Sequence, residues 1–232
     1  MVKYFKVLDE NGCSCHGGDA EWSLPTQNDD GTWSPGEWMP PVDGELEPCA
    51  NGYHVVTLEQ LLDWLGERIF EVEPGDEIVH EDNKSVTRTC RLTRECTGWD
   101  ERTARLFACD CAEHVLSLYE AKYPDDGRPR KAIETARRYA EGKAAVEELT
   151  DVWAAAWAAA EDAAEDAAEA AAWAAARAAA RAAAWDAAWD AAGAAAEDAA
   201  RAAAWAAAWA AALDVERQWQ AGRLGEILEV EA

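Results

Sequence analysis

Short apolar runs separated by turn residues dominate the first part of the chain. Residues 2–8 (VKYFKVL) have the β-branched and aromatic composition of a strand. Further short extended pieces are predicted at three places: 69–72, 78–79 and 86–92. A proline-glycine turn (Pro74-Gly75) separates the first two of these pieces, as expected between neighbouring strands.

One short helix is predicted between these strands. Thr57 and Gln60 form a capping-box pattern, and the apolar residues that follow can continue as a helix until Gly66 ends it. Residues 9–48 are rich in Gly, Pro and Asp and show no periodicity, so an ordered loop is expected there. Together these features predict a small α+β domain over residues 1–92.

From Asp100 onward the apolar spacing becomes helical. A first helix is predicted through Tyr119, and Pro124-Asp125-Asp126-Gly127 breaks it. A second runs from about Pro129 to Glu141, with Gly142 as its stop, and a third begins near Lys143. Residues 93–232 are therefore predicted to form an all-α, Ala/Trp-rich multi-helix bundle.

An alanine-rich tetrad repeat fills residues 153–212. Its 15 tetrads all have alanine at the third and fourth positions, with Trp, Glu, Arg or Gly at the first. Each four-residue step turns a helix by about 400°, so the first positions drift by about 40° per tetrad. One straight helix would carry its seven tryptophans into water. We therefore expect several helices of about 16 to 20 residues, a turn at Gly193, and indoles packed in the core.

Charge limits the classes of partner. The chain carries 46 acidic and 21 basic side chains, a net charge of -25, which disfavours direct binding to nucleic acid or to anionic membranes. A basic protein partner is favoured. The longest apolar stretches are interrupted by charges, and residues 2–6 do not begin a signal peptide. Seven cysteines then indicate reduced thiols and a cytoplasmic protein.

Two cysteine-histidine groups are candidates for metal or thiol chemistry. Cys13, Cys15, Cys49 and His54 could supply zinc ligands, although no Cys-x-x-Cys knuckle is present, and the alternative is ordinary buried thiols. In the predicted first helix, Cys109 and Cys111 are about 200° apart, so one is expected to face the core and the other not. A cysteine nucleophile is conceivable there, but nothing in the sequence activates a thiol. We expect no cofactor and no metal.

Arginines and tryptophans of the helical region are candidates for ligand binding. Arginine matches phosphate or carboxylate geometry and stacks on aromatic rings, so the two residue types together could hold a nucleotide. The alternative is internal salt bridging for the arginines and core packing for the indoles. The candidate ligand-binding residues are Arg128, Arg130, Trp173, Arg177, Arg181, Trp185 and Trp189.

Two segments of the helical region resemble the Imm-5-like putative immunity proteins. The motifs are Cys109-Asp110-Cys111-Ala112-Glu113 and Pro124-Asp125-Asp126-Gly127-Arg128-Pro129-Arg130, and the resemblance covers about residues 99–215. Residues 1–92 resemble a small domain of unknown function found in phage and bacterial proteins. This second resemblance is carried by Tyr4-Phe5-Lys6-Val7 and Cys49-Ala50-Asn51-Gly52-Tyr53-His54. The resemblances imply neutralisation of a toxin or defence effector in a phage or prophage setting.

Three functions follow, in descending order. The first is a non-enzymatic inhibitor that binds a basic protein effector. The second is a sponge that sequesters a cyclic or ADP-ribose-type nucleotide signal. The third is an ADP-ribosyltransferase-like enzyme, which the first region resembles weakly through its first strand and a strand ending near Glu95. Lys6 stands where that family needs Arg or His, and no Ser-Thr-Ser triplet occurs.

Overall fold

The computed structural model describes residues 2–15, 20–163, 170–184, 188–206 and 210–230. The chain forms two compact units, one of residues 1–100 with 225–232 and one of residues 101–224. The predicted α+β region followed by a helical bundle is confirmed. The domain boundary after residue 92 stays a prediction, because compactness does not show that either part folds alone.

The first unit contains small antiparallel sheets. In the main sheet, strand β5 lies between β1 and β8, and a register shift interrupts its pairing with β8 between Glu71 and Val72. A second sheet has the order β4-β7-β6, and β2 pairs with β3. Leu8, Phe70 and Leu92 are completely buried between these elements. The strands are β1 (Tyr4–Leu8), β2 (Thr26–Gln27), β3 (Trp33–Ser34), β4 (Tyr53–Val55), β5 (Arg68–Pro74), β6 (Ile78–His80), β7 (Ser85–Thr87) and β8 (Cys90–Glu95).

The predicted capping box starts a helix, but the helix is shorter than expected. In α1 (Leu58–Leu61) the Thr57 hydroxyl accepts a hydrogen bond from the Gln60 amide, and the Gln60 side chain accepts one from the Thr57 amide. The helix ends at Leu61, five residues before the predicted stop at Gly66. A Cβ at Gly66 would lie 2.5 Å from Val7 Cγ1, so this glycine permits a close approach to β1 rather than ending a helix.

Six helices of the described residues follow. Helix α2 packs against α3, α5 and α6, so it is buried on more than one side. Cys109 and Cys111 are therefore both fully buried, and the prediction that only one of them faces the core is wrong. The helices are α2 (Glu101–Lys122), α3 (Arg128–Ala140), α4 (Val146–Ala163), α5 (Ala170–Ala182), α6 (Ala188–Ala206) and α7 (Ala210–Ile227).

Alanine side chains form most of the core of the tetrad repeat. Helix α5 contacts α2, α3, α4 and α6, and nearly every described alanine at a third or fourth tetrad position is buried. Trp153, Trp157, Trp173, Trp189 and Trp205 are only half-buried. Alanine side chains occupy most of the buried positions of the repeat, and these five indoles remain partly accessible to solvent. The expected core packing of the indoles is thus partial.

The turn expected at Gly193 is absent, because this residue lies inside α6. A single glycine costs a helix about 1 kcal/mol relative to alanine, a penalty that the flanking alanines tolerate. Helix α5 ends at Ala182 instead. The amides of Ala183 and Ala184 there donate hydrogen bonds to the carbonyl groups three residues earlier, as in a 3₁₀ turn. Arg105 of α2 completes this end by donating from Nη1 to the Ala184 carbonyl oxygen at 2.9 Å.

All seven cysteines are free thiols in the structure. Burial raises the pKa of Cys90, Cys96 and Cys109 to about 12, which keeps these thiols protonated at neutral pH.

Within the described ranges, no helix combines the length and apolar character needed to cross a bilayer.

Candidate functional site

One face of α5 carries a tryptophan followed by two arginines at four-residue spacing. Trp173, Arg177 and Arg181 lie along it, and Trp157 of α4 faces the two arginines. The Arg177 guanidinium lies 4.6 Å from the Trp173 ring centroid and 5.7 Å from that of Trp157. Arg181 lies 5.4 Å from the Trp157 centroid. Both guanidinium groups are therefore held over indole faces.

A buried carboxylate of α6 stands opposite these arginines. Asp198 Oδ2 lies 3.3 Å from Nε of Arg177 and 3.7 Å from Nε of Arg181, and Arg201 Nη1 lies 3.7 Å from Oδ1. The Asp198 side chain is 3 % exposed. Neither Nε nor Oδ2 has a hydrogen-bond partner, so the groups attract by charge without aligned hydrogen bonds. Burial raises the pKa of Asp198, and the arginines offset that rise only in part.

The predicted ligand-binding residues do not form one site. Trp173, Arg177 and Arg181 share the α5 face, and Trp173 also packs against Trp205 with ring centroids 5.6 Å apart. Trp189 is half-buried on α6, and Trp185 lies outside the described residues.

Arg128 and Arg130 lie at the beginning of α3, where each binds carboxylates. Arg128 Nη2 donates to Asp126 at 2.6 Å and to Asp162 at 2.7 Å. Arg130 holds Glu120 through two parallel bonds of 2.6 and 2.7 Å. These are the internal salt bridges of the alternative interpretation, and ligand binding at Arg128 and Arg130 stays a prediction.

The Asp126 carboxylate makes stability depend on pH. Hydrogen bonds from Arg128 and Tyr119 hold its pKa at about 2. An acid with a lowered pKa stabilises the fold above its unfolded pKa, near 4, and this contribution is lost as pH falls through about 2. We expect Asp126→Asn to lower the free energy of unfolding by about 2 kcal/mol at neutral pH. Urea unfolding at a series of pH values measures this.

Asp125→Asn is the matched control, because Asp125 is exposed beside Asp126. We expect it to change the free energy of unfolding by less than about 0.5 kcal/mol. The difference between wild type and Asp126→Asn should vanish near pH 2. A difference that stayed constant from pH 7 to about pH 2 would show that Asp126 acts through packing rather than charge.

A small cavity of about 330 Å³ opens between α2, α3 and α7. The His114 ring stacks on Trp219 with centroids 3.8 Å apart and planes inclined by 3°. His114 Nδ1 lies 2.7 Å from Oε2 of the buried Glu216. Asp110 receives Arg137 and Arg223, each at 2.7 Å. Every charge named here has a partner, so this cluster ties the three helices together.

Sequence reasoning missed the α7 side of this cluster. Glu216, Trp219 and Arg223 follow an i, i+3, i+7 spacing, which places them on one helix face, but α7 was not singled out. On the α2 side, Asp110 and Glu113 were named only as part of the motif that carries the family resemblance. Burial raises the pKa of Cys109 to about 12, which makes its thiol unsuitable as a nucleophile.

The candidate zinc ligands do not converge. His54 Nε2 accepts a hydrogen bond from the Cys49 amide at 2.8 Å, which occupies the lone pair of that nitrogen. Among the residues the structure describes, no group of three or more His, Cys, Asp or Glu side chains is arranged to hold a metal ion. Cys13 and Cys15 are exposed.

The features of the transferase interpretation are partly present. The first strand contains Lys6, and β8 ends at Glu95 as predicted. Arg68 binds the Glu95 carboxylate through two bonds of 2.7 and 2.8 Å. This carboxylate is thus engaged in a structural ion pair, and the transferase activity stays a prediction.

Comparison with known proteins gave one match. A family model described as Imm-5 like putative immunity protein matches residues 94–226, which is more than half of the chain and includes α2 to α6. No curated protein and no solved structure matched. The resemblance proposed for residues 1–92 lies outside the matched segment and stays a prediction.

Proposed function

The chain belongs to the Imm-5-like putative immunity protein family, and from this premise we propose that it is a non-enzymatic inhibitor that binds and neutralises a basic protein toxin or defence-system effector. The family gives an immunity-type function. The structure adds the distribution of charge that supports a basic partner. The seven free thiols support action in the cytoplasm.

Most arginines of the helical unit form internal ion pairs. Arg130 binds Glu120, Arg137 binds Asp110 and Glu113, and Arg138 binds Glu148. Each pair removes a cation from the field that an approaching partner meets. The unpaired carboxylates then dominate the outer potential of the bundle.

Helix α4 shows this excess of negative charge most clearly. Glu147, Asp151 and Glu161 are exposed, and they lie within about 80° of one another around the helix axis. Within the described part of the chain, no ion pair involves any of the three. We call these residues the α4 acidic face. It is the observation that carries the proposal of a basic partner, because such a face speeds association with a cationic surface.

Neutralising the α4 acidic face should weaken partner binding. The change is Glu147→Gln, Asp151→Asn and Glu161→Gln in the full chain. A basic effector captured from host lysate at about 50 mM salt should associate about tenfold more slowly with this variant. Binding to wild type should also weaken as salt rises to about 500 mM. Surface plasmon resonance with the captured effector measures both effects.

A control variant has the same net charge as the triple variant of the α4 acidic face. Asp29→Asn, Glu45→Gln and Asp82→Asn neutralise three exposed carboxylates of the first unit. This variant should bind as wild type does. Equal loss in both triple variants would mean that only net charge matters, and capture of no protein partner at low salt would refute the proposal of a protein target.

The Arg177 arrangement supports a second candidate function, sequestration of a cyclic or ADP-ribose-type nucleotide. Its Nε atom has no hydrogen-bond partner, and two indoles flank its guanidinium. Together with Arg181 and Trp173 it offers a cation and a flat apolar wall, which a nucleotide requires.

Calorimetry against a panel of these nucleotides tests the second candidate. Binding should fall at least tenfold in Arg177→Ala with Arg181→Ala, because each charged hydrogen bond contributes about 1.5 to 3 kcal/mol. Circular dichroism should show the same helix content, since alanine favours helix. The absence of heat with intact protein would eliminate this function.

A further inference from the structure

A cavity of about 530 Å³ lies in the first unit, and none of its described lining residues belongs to the segment matched by the immunity family. It lies between β1, the Cys49–His54 segment and the α1 region, and its lining includes Lys6, Trp22 and Trp64. Its size falls within the range of small-molecule sites, about 300 to 1,000 Å³. Cys49 and Ala50 are exposed, so the cavity opens to solvent at that end.

The charge of the cavity is opposite to that of the chain. Lys6 and Lys84 both line it, whereas no Asp or Glu does among the described lining residues. In the same part of the molecule, residues 1–92 carry 19 acidic and 6 basic side chains. The absence of carboxylates among the described lining residues is therefore not what the composition of this region predicts.

Among the described residues, the Lys6 ammonium has an aromatic neighbour but no counter-ion. Within the described residues, no hydrogen bond or ion pair reaches its Nζ atom, which lies 5.1 Å from the Trp22 ring centroid. Burial lowers the pKa of Lys6, and the nearby Cys90 and Cys15 offset this only in part. A desolvated cation without a counter-ion is costly, and an anion in the cavity would remove that cost.

Aromatic side chains supply the apolar walls. Trp22 is buried and packs edge-on against Tyr53, with ring centroids 5.7 Å apart. On the other side, the Trp64 indole is fixed by a 2.7 Å bond from Nε1 to the Asn83 carbonyl. Lys84 lies 5.5 Å from the Trp64 centroid. Cations and flat rings are thus side by side.

The segment from Cys49 to His54 is held in one conformation. Cys49 has a φ of 65°, which is unusual for a residue with a side chain, and its amide donates to His54 Nε2. A Cβ at Gly52, whose φ is 125°, would lie 2.4 Å from Val86, so only glycine fits there. Lys84 Nζ donates to Cys49 Sγ at 2.9 Å. This wall is pre-formed before any ligand binds.

We propose that this cavity binds a small planar anion, with the anionic group at Lys6 and a flat ring packed against the indole walls. Phosphate and carboxylate are both acceptors that an ammonium can bind, and either can carry such a ring. The cavity volume limits the ligand to the size of a mononucleotide. The overall negative charge of the chain slows entry of an anion into the cavity. Because salt screens charges over about 8 Å, the nearby lysines determine the electrostatic potential that a bound anion meets.

Calorimetry with the full chain tests the proposal with four probes. Adenosine 5′-monophosphate represents the phosphate source and indole-3-carboxylate the carboxylate source, while adenosine and inorganic phosphate each lack one half of the ligand. At least one of the two planar anions should bind at least tenfold more tightly than adenosine or phosphate. Binding of inorganic phosphate as tight as that of both planar anions, or no binding of either planar anion, would overturn the proposal.

Two variants separate the cavity from other cationic sites. Lys6→Met should weaken binding at least tenfold, whereas Lys3→Met, which removes an exposed lysine paired with Glu71, should leave it unchanged. Arg177→Ala should also leave binding unchanged, and this distinguishes the cavity from the nucleotide function proposed for the helical unit. Loss of binding in Arg177→Ala but not in Lys6→Met would refute the assignment.

A spectroscopic signal gives a second, independent measurement. Burial, with Lys6 and Lys84, lowers the pKa of His54. A bound anion would partly neutralise those lysines, so the pKa of His54 should rise on binding in an NMR titration of the four histidines. An unchanged pKa of His54 in the presence of a saturating planar anion would place the anion elsewhere.

Discussion

Ala179→Leu is expected to lower the free energy of unfolding by about 3 kcal/mol. Ala179 is completely buried on α5, which packs against four other helices. Leucine adds three carbon atoms where the neighbouring side chains are mostly alanine, so the helices must separate or the side chain must take a strained rotamer. Thermal unfolding should show a decrease in Tm of about 10 °C.

The control for this change lies in the same repeat. Ala154 of α4 is exposed, and Ala154→Leu should alter the free energy of unfolding by less than about 0.5 kcal/mol. Equal effects of the two substitutions would show that α5 is not the close-packed centre of the bundle.

Arg105→Met is expected to cost about 3 kcal/mol of stability. Arg105 is 5 % exposed, donates to the Ala184 carbonyl, and lies over the Tyr139 ring at 5.2 Å. Methionine keeps most of the side-chain volume but cannot donate, so the carbonyl at the end of α5 loses the partner that compensates its burial. Urea denaturation measures the loss.

Arg102→Met serves as the comparison, because Arg102 is an exposed arginine on the same helix. Its effect should stay below about 0.5 kcal/mol. Arg105→Lys should recover part of the stability if the hydrogen bond to Ala184 matters. A lysine variant as unstable as the methionine variant would indicate that the planar guanidinium over Tyr139 carries the effect.

Local signals in the sequence predicted most of the elements. The Thr57 capping box, the β-branched and aromatic residues of β1 and β5, and the proline at the beginning of α3 each depend on residues close in sequence. These features act within one turn or one strand pair, so they can be read without knowing the tertiary contacts. The turns in the alanine tract could not be predicted in this way. The end of α5 depends on Arg105, which is 79 residues away in the chain from the Ala184 carbonyl that it binds.

The candidate sites were predictable only in part, for the same reason. The four-residue spacing identified Trp173, Arg177 and Arg181 as neighbours, but not the carboxylate that faces them from α6. The first-unit cavity also combines segments that are distant in sequence, since Lys6, Trp22 and Lys84 meet only in the fold. Residue type suggested chemistry for Cys49 and His54, whereas their actual contact is a hydrogen bond from the Cys49 backbone amide to the His54 ring.

Asp198 has a consequence for the alignment of the helices. The tetrad repeat is nearly self-similar, so a slip of α6 along α5 by four residues would exchange one set of alanine contacts for an almost identical set. Such a slip would place Ala194 or Ala202 opposite Arg177 and Arg181, leaving two crowded guanidinium groups without an anion. A single buried carboxylate thereby selects one register among several that apolar packing alone leaves close in energy.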